Sequence, residues 1–266
     1  MTRAFHRGYC GGPYGQLHYR AGGEGGRQLI LLHQSPLSGL MFEAAIPELI
    51  ANGFHVVAPD TPGYGLSDPP ENPIDIAGYA ACLPFVLDHF GFETTCLLGH
   101  HTGAVIAGAF AATQPECIEH LILNGVALLS PEERAFFSTM TFSPMDIQAD
   151  GSHHLAAWNQ RLKASPGWTK LDVMHRYTTE MLALPDRYFW AFDAVFAHDL
   201  EKDLAAIDVP TTILTNTGED LYEASKRAHA LRPDFGFESL EGGTHDIVDE
   251  QPREWAARVT SIMSTP

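Results

Sequence analysis

Short apolar runs alternate with stretches of helical hydrophobic spacing along most of the chain. The runs contain few charged side chains, as is typical of strands that are buried on both faces of a parallel sheet. They occupy residues 28–32, 54–58, 94–98, 118–123, 211–215 and 235–240. Helical spacing is found at residues 40–51, 75–90, 103–114 and 251–263. The alternation of the two patterns predicts a doubly wound α/β sheet.

Two regions depart from this alternation. Near the start, residues 5–10 and 14–21 flank Gly11-Gly12-Pro13, which predicts a hairpin of two further strands. Between about 127 and 206 the strand pattern stops, and the segment is predicted to form several helices that are rich in aromatic residues. Most of these aromatic side chains are expected to pack with one another. The candidates for lining a pocket are Trp190, Phe189 and Phe142.

The charge balance indicates which classes of macromolecule the protein does not bind. Sixteen Lys and Arg residues oppose 33 Asp and Glu residues, and the formal net charge is -17. Such a surface repels polyanions and anionic membranes at long range, so nucleic acid is not an expected partner. A chain of 266 residues with 45% hydrophobic content can bury one large core, and we expect one core domain with a lid.

Other bulk features predict a soluble cytoplasmic protein without a resident metal or cofactor. The four cysteines are scattered and form no CxxC pair, which indicates reduced buried thiols. The first residues lack the apolar core of a signal peptide, and no run approaches the length of a membrane span. His153 and His154 are adjacent, but no third residue is suitably spaced to complete a metal site.

The sequence Gly99-His100-His101-Thr102-Gly103 carries the first chemical signal. It matches the frame Gly-x-Nuc-x-Gly, in which a strained turn from strand to helix lifts the central side chain into a cleft. Glycine is needed at both ends because the strand and the helix pass too close for a Cβ atom. The raised residue here is His101. An imidazole can attack a carbonyl, but it is better suited to moving protons near neutral pH.

Two further loops, together with this turn, resemble those of the α/β-hydrolase family. His33-Gln34-Ser35-Pro36 is similar to the family's His-Gly-x-Pro oxyanion loop, and residues 60–68 are similar to its D-x-P-G-x-G-x-S loop. The resemblance implies a mostly parallel, doubly wound sheet of eight strands, with a helical cap inserted after strand 6. It divides the chain into a core domain of residues 1–126 and 207–266 and a cap of residues 127–206.

The resemblance also implies where an oxyanion and a substrate would bind. The backbone N–H groups of Ser35 and Thr102 would stabilise charge on the substrate oxygen. Gln34 stands where the family has glycine, and its amide is expected either to support the loop or to contact the substrate. The other residues expected near the substrate are His33, His100 and Trp190.

The family places an acid after the strand at 211–215 and a histidine after the last strand. The resemblance therefore assigns these roles to Asp220 and His245, with Glu219 as the weaker alternative for the acid. His245 would face His101, and Asp220 would hold the other nitrogen of His245. Since a neighbouring like charge disfavours ionisation, one imidazole is expected to stay neutral and act as the base. The predicted catalytic residues are His101, Asp220 and His245.

Three functions agree with such a site. In the first, the histidines activate water and hydrolyse an ester, a lactone or an activated C–C bond of a small carbonyl compound, without a serine nucleophile. In the second, they move protons within a substrate, as in a cofactor-independent lyase, decarboxylase or isomerase. In the third, the pocket only binds a small molecule. The aromatic segment favours a mainly apolar ligand, although Arg161, Arg176 or Arg187 could hold a carboxylate.

Overall fold

The computed structural model describes residues 4–139 and 146–264. Its strands are β1 (His6–Gly12), β2 (Gly15–Gly22), β3 (Arg27–Leu32), β4 (Phe54–Pro59), β5 (Thr95–His100), β6 (Ile118–Asn124), β7 (Thr211–Asn216) and β8 (Gly236–Leu240). Within the described residues, the eight strands form one sheet in the order β1-β2-β4-β3-β5-β6-β7-β8. β2 pairs antiparallel with β1 and β4, and the other neighbours are parallel. The predicted eight-stranded, mostly parallel sheet is confirmed.

Helices separate most of the strands, but two predicted helices are interrupted. The described helices are α1 (Ile46–Ala51), α2 (Ile76–Ala80), α3 (Leu83–Phe90), α4 (Thr102–Thr113), α5 (Pro131–Thr139), α6 (Ser152–Ala164), α7 (Leu171–Leu182), α8 (Trp190–Ala197), α9 (Leu200–Ala206), α10 (Tyr222–Leu231), α11 (Ile247–Glu250) and α12 (Pro252–Ser264). The predicted helix at 75–90 divides into α2 and α3 at Pro84, because proline cannot donate the helical hydrogen bond. The predicted helix at 40–51 likewise becomes a 3-10 turn at Gly39–Phe42 and α1, which has Pro47 in its first turn.

The central strands are apolar throughout because both of their faces are covered. Leu29 and Leu31 of β3 pack in one hydrophobic cluster, whereas Ile30 and Leu32 pack in the other. Successive side chains of a strand point to opposite faces, so these neighbours need apolar partners on both sides. One face is covered by α4 with α2 and α9, and the other by α1 and α12 around the buried Trp255.

The loop at residues 60–68 is held in place by a buried carboxylate. Asp60 accepts hydrogen bonds from the side chains of His18 (2.8 Å) and Arg20 (2.9 Å) and from the backbone N–H groups of Gly39 and Leu66. Burial raises the pKa of Asp60, but the hydrogen bond from His18 and the charge of Arg20 lower it more, so that it lies below its usual value. This motif therefore fixes the loops beneath the site and takes no part in the chemistry proposed below.

The segment between β6 and β7 is helical, as predicted. Helices α5 to α9 lie in this interval, and α8 and α9 also pack against α4 of the core. The domain boundaries at 126/127 and 206/207 stay a prediction. Phe142 lies outside the described residues. Within the two described ranges, no helix is both long enough and apolar enough to cross a membrane.

A buried carboxylate joins α7 to the segment after β3. Ser38 Oγ donates a hydrogen bond to Glu180 Oε1 at 2.5 Å, and no partner for Oε2 is found within the described residues. Burial raises the pKa of Glu180 to about 7, because the opposing hydrogen bond from Ser38 is the smaller effect and the charge of Asp60 adds to the rise. Unfolding restores the ordinary, lower pKa, so the stabilising contribution of neutral Glu180 is present in acid and is lost as the pH rises toward about 7.

We expect Glu180→Gln to raise the melting temperature at pH values above 7 and to flatten its fall between about pH 4.5 and 7. Glutamine keeps the size of the side chain and cannot ionise. The measurement is thermal unfolding of both proteins across this pH range, with Glu223→Gln on α10 as the control, because Glu223 is an exposed carboxylate. If Glu180→Gln follows the wild type at every pH, Glu180 is not neutral in the folded protein.

Candidate active site

The turn from β5 to α4 raises His101 in a strained backbone conformation. His101 has φ 50° and ψ -108°, and its left-handed φ is unusual for a residue with a Cβ atom. A Cβ atom on Gly99 would lie 2.0 Å from the carbonyl oxygen of Gly103, and one on Gly103 would lie 2.2 Å from that of Leu32. The two glycines are therefore needed because three backbone segments cross here.

The raised imidazole is held by a buried carboxylate. His101 Nε2 lies 2.7 Å from Glu219 Oε2, and the Glu219 side chain is fully buried. The hydroxyl of Thr215 and the backbone N–H of Asn216 donate to the other carboxylate oxygen. Burial raises the pKa of Glu219, but the hydrogen bond and charge of His101 lower it more, so that it lies below its usual value. An ionised Glu219 accepts the Nε2 proton and leaves Nδ1 as the nitrogen that can take another.

Room for the His101 ring comes from a glycine on the neighbouring strand end. Gly125, directly after β6, has φ 69°, and a Cβ atom on it would lie 2.3 Å from His101 Cδ2. The preceding residue, Asn124, accepts a hydrogen bond from Trp255 and donates one to the Leu214 carbonyl oxygen. The end of β6 therefore makes space for the imidazole and contributes no acid.

The expected hydrogen bond between Asp220 and His245 is not formed. Asp220 Oδ2 lies 3.9 Å from His245 Nδ1, and the Asp220 side chain is 78% exposed. The acid that is hydrogen-bonded to an imidazole is Glu219, one residue earlier, and it holds His101 instead of His245. The sequence expectation is corrected on this point because Glu219 points inward, where Thr215 and Asn216 donate to it.

His245 faces the elbow histidine but is contacted by Arg161 of α6. The ring centroids of His101 and His245 are 6.1 Å apart. Arg161 of α6 places Nη1 3.1 Å from His245 Nε2 and forms a buried ion pair with Asp246 through Nη2. Burial lowers the pKa of His245 well below its usual value, and the nearby charges of Arg161 and His101 lower it further. His245 is therefore neutral near pH 7.

Two other histidines expected near the substrate lie behind the site. His100 is fully buried, stacks on His101 with 4.3 Å between ring centroids, and donates from Nε2 to the His245 carbonyl oxygen at 2.8 Å. Burial, with the charge of His101, lowers the pKa of His100 to about 3. His33 is 1% exposed, and its Nε2 accepts from the Thr61 backbone N–H at 2.9 Å. Both rings support loops and are too deeply buried to meet a ligand.

A cavity of about 220 Å³ opens in front of His101. The polar residues that line it are Gln34, Ser35, His101, Thr102, Gln160, Arg161, Asp220 and His245. Most of the remaining wall is apolar, including Leu129, Phe137, Met181, Tyr188, Phe192, Val195 and Phe196. The described lining does not include Trp190 or Phe189, so the aromatic contacts come from neighbouring positions of the same helices and from α5.

The loop at His33–Pro36 lies beside the elbow, and its role in binding an oxyanion stays a prediction. The backbone N–H of Ser35 donates to Thr102 Oγ1 at 3.3 Å. Gln34 lines the cavity, and its amide also donates to Asp246 Oδ1 at 3.0 Å. Both roles considered for Gln34 are therefore compatible with its position. Among the described residues, no group of three or more His, Cys, Asp or Glu side chains could hold a metal ion.

Two members of the site were not assigned from the sequence. Arg161 was one of three arginines between about 127 and 206 with no order among them, and Asp246 was given no role. Their pairing across more than eighty residues depends on how α6 docks on the core, which no local pattern encodes. The only available signal was that a charged residue adjoined the predicted histidine.

Comparisons with known proteins agree with this architecture. A family model described as alpha/beta hydrolase fold matches residues 28–194. A 2-hydroxy-6-oxononadienedioate/2-hydroxy-6-oxononatrienedioate hydrolase of Pseudomonas putida is 37% identical over 116 residues, which are 41% of this chain and 40% of the relative. A soluble epoxide hydrolase of a Corynebacterium species is 32% identical over 108 residues, which are 41% of this chain and 37% of the relative. The chain thus matches about two fifths of the length of these relatives.

A solved structure extends the similarity to the whole fold. The bromoperoxidase from Bacillus anthracis superposes with a TM-score of 0.84 at 19% identity, covering 98% of this chain and 100% of its own. At this identity, the agreement concerns the fold alone.

We expect Gly125→Ala to destabilise the protein more than Gly91→Ala. Both glycines have left-handed φ values, 69° and 64°, so a Cβ atom costs about 1 kcal/mol or more at each. Only at Gly125 would the new Cβ atom meet the His101 ring, whereas nothing lies within 4 Å of one at Gly91. Urea unfolding of the two variants measures the difference. Equal losses would mean that the His101 ring is not held against Gly125.

Proposed function

Because the chain belongs to the α/β-hydrolase fold family, we propose that it is a hydrolase in which His101 acts as a general base and no serine is acylated. The observation that carries the proposal is the 2.7 Å contact between His101 Nε2 and the buried carboxylate of Glu219. A carboxylate that accepts one ring proton fixes the tautomer and orientation of an imidazole and stabilises it when it becomes charged.

The position of His101 Nδ1 suits it to activate water. This nitrogen is bonded to Cγ, so it lies one bond beyond the atom that a serine hydroxyl would occupy at the same elbow. With Nε2–H donated to Glu219, the lone pair of Nδ1 is available for a proton. The ring lines the cavity while 14% of its side chain is exposed, so a small molecule can reach it.

The reaction that follows is hydrolysis of an ester or lactone. His101 Nδ1 removes a proton from water as the water oxygen adds to the carbonyl carbon. The backbone N–H groups of Ser35 and Thr102 stabilise the oxyanion of the tetrahedral intermediate, for which the Ser35 N–H exchanges its 3.3 Å contact with Thr102 Oγ1. The amide of Thr102 begins α4 and so has no partner four residues earlier within the helix. The intermediate expels the alkoxide, which takes the proton back from His101.

The cavity supports a small, mainly apolar carbonyl compound as the substrate. Most of the residues that line the cavity are aromatic or aliphatic, and His101 is one of the polar ones. An apolar body would be desolvated by the wall while its carbonyl meets His101. The two relatives are named as hydrolases of an oxo-acid and of epoxides, which favours hydrolysis over the lyase and isomerase alternatives.

We expect His101→Gln to lower the hydrolysis of small aryl esters about a hundredfold or more, the scale for losing a general base. Glutamine can still donate to Glu219 but cannot take up a proton. His175→Gln on α7 is the matched control, since His175 is exposed, and it should keep wild-type rates. Oxygen from labelled water should appear in the acid product. Unchanged rates in His101→Gln, or labelling of Ser35 by a fluorophosphonate, would contradict the proposal.

The adjacent acids Glu219 and Asp220 provide a second test. Glu219→Gln removes the charge that orients His101, so we expect kcat to fall at least about tenfold, comparable with other losses of a supporting hydrogen bond. Asp220→Asn should change kcat by no more than about fivefold, since an exposed contact contributes little. The measurement is kcat and KM for both variants on one ester. A larger loss in Asp220→Asn would restore Asp220 as the essential acid.

A further inference from the structure

Arg161 reaches the site from the cap and is fixed on several sides. It is 6% exposed, its Nη2 pairs with the fully buried Asp246, and its guanidinium lies 4.7 Å from the centre of the Tyr177 ring. Ser165, at the end of α6, donates to the same oxygen of Asp246 at 2.5 Å. A charged group that is anchored in this way points its remaining N–H groups in set directions.

One of these N–H groups points toward His245. Arg161 Nη1 lies 3.1 Å from His245 Nε2. A guanidinium has donors but no acceptor and stays protonated, so the nitrogen that faces it must carry a lone pair. The single proton of the neutral ring then lies on Nδ1.

We propose that Arg161 is a positioning residue that holds His245 as the neutral, Nδ1-protonated tautomer and so leaves His101 as the imidazole that can act as the base. The second half of this inference rests on the proposed function, whereas the tautomer of His245 follows from the contact with Arg161 alone. A ring whose Nε2 lone pair is engaged cannot compete with His101 for the proton that leaves the water.

Of the charged and titratable groups around His245, the two carboxylates favour a charged ring and the others favour a neutral one. Asp246 Oδ2 lies 3.7 Å from Nε2, but its charge is matched by Arg161. Asp220 lies 3.9 Å from Nδ1, and its exposure to solvent weakens its effect. His101 faces the ring across 6.1 Å, and His100 binds only the backbone carbonyl oxygen. With these groups in place, burial favours the uncharged ring.

The arrangement also makes the site depend on the cap. His245 belongs to the loop after β8, and Arg161 belongs to α6, which lies between β6 and β7 in the chain. His245 is therefore held in one tautomer, and His101 is left as the base, only when α6 is docked on the core.

The test is the protonation state of His245, read from long-range proton–nitrogen correlation spectra of the full chain with 15N-labelled histidine. In the wild type we expect an unprotonated Nε2 and a protonated Nδ1 between about pH 5.5 and 8.5. In the double variant Arg161→Met with Asp246→Asn, which removes the whole buried ion pair, His245 should titrate closer to pH 6.5. Removing both charges avoids leaving one of them unpaired.

The matched control is Arg176→Met. Arg176 lies on α7, contacts the same Tyr177 ring at 5.1 Å and binds Asp249, so it shares the surroundings of Arg161 without its contact to His245. Its His245 spectrum should be that of the wild type. A wild-type His245 that is protonated on Nε2 would overturn the inference even if the double variant failed to fold, as would a double variant with an unchanged spectrum. If His245 is protonated on Nδ1 as expected but the protein has no esterase activity, only the proposed function is contradicted.

Discussion

The hydrogen bond between His101 and Glu219 is the constraint on which the arrangement of the site depends. A carboxylate with no exposed surface needs several donors, and the imidazole supplies one of them together with Thr215 and Asn216. The same contact decides which edge of the ring faces the cavity. The strained elbow, the glycines that allow it and the missing side chain at Gly125 all serve to bring this ring to this acid.

The helices between β6 and β7 contribute charges as well as an apolar wall. Arg161 enters the core beside His245, Glu180 meets Ser38 under the oxyanion loop, and Tyr177 and Arg176 bind Asp249 on α11. These contacts join α6 and α7 to the loops that carry the site. Buried polar contacts of this kind tolerate little displacement, because a separated partner would be left without a hydrogen bond in a dry interface. A shift of α6 or α7 would therefore also change the geometry of the site.

The sequence predicted the parts of the structure that depend on local spacing. Continuous apolar runs gave the strands, the glycine frame placed His101 on the elbow, and the loop at His33–Pro36 was brought beside it. The sequence did not predict the contacts that determine the protonation of the two histidines. Glu219 and Asp220 are adjacent acids, and which of them points inward depends on donors at the end of β7. Arg161 and Asp246 meet only after the cap is docked, and His100 and His33 resemble site residues until their burial is known.

The space beside Gly125 has a consequence for which side chain the elbow can accommodate. Replacing His101 with serine would not produce an ordinary serine enzyme, because Glu219 would lose its ring partner inside the protein and a void would open where the imidazole had been. Residues around the void, including Glu219, would have to change together with His101 for serine to be tolerated. The surroundings of residue 101 are therefore shaped to an imidazole, and Glu219 and Gly125 are the neighbours that a smaller side chain would leave without contact.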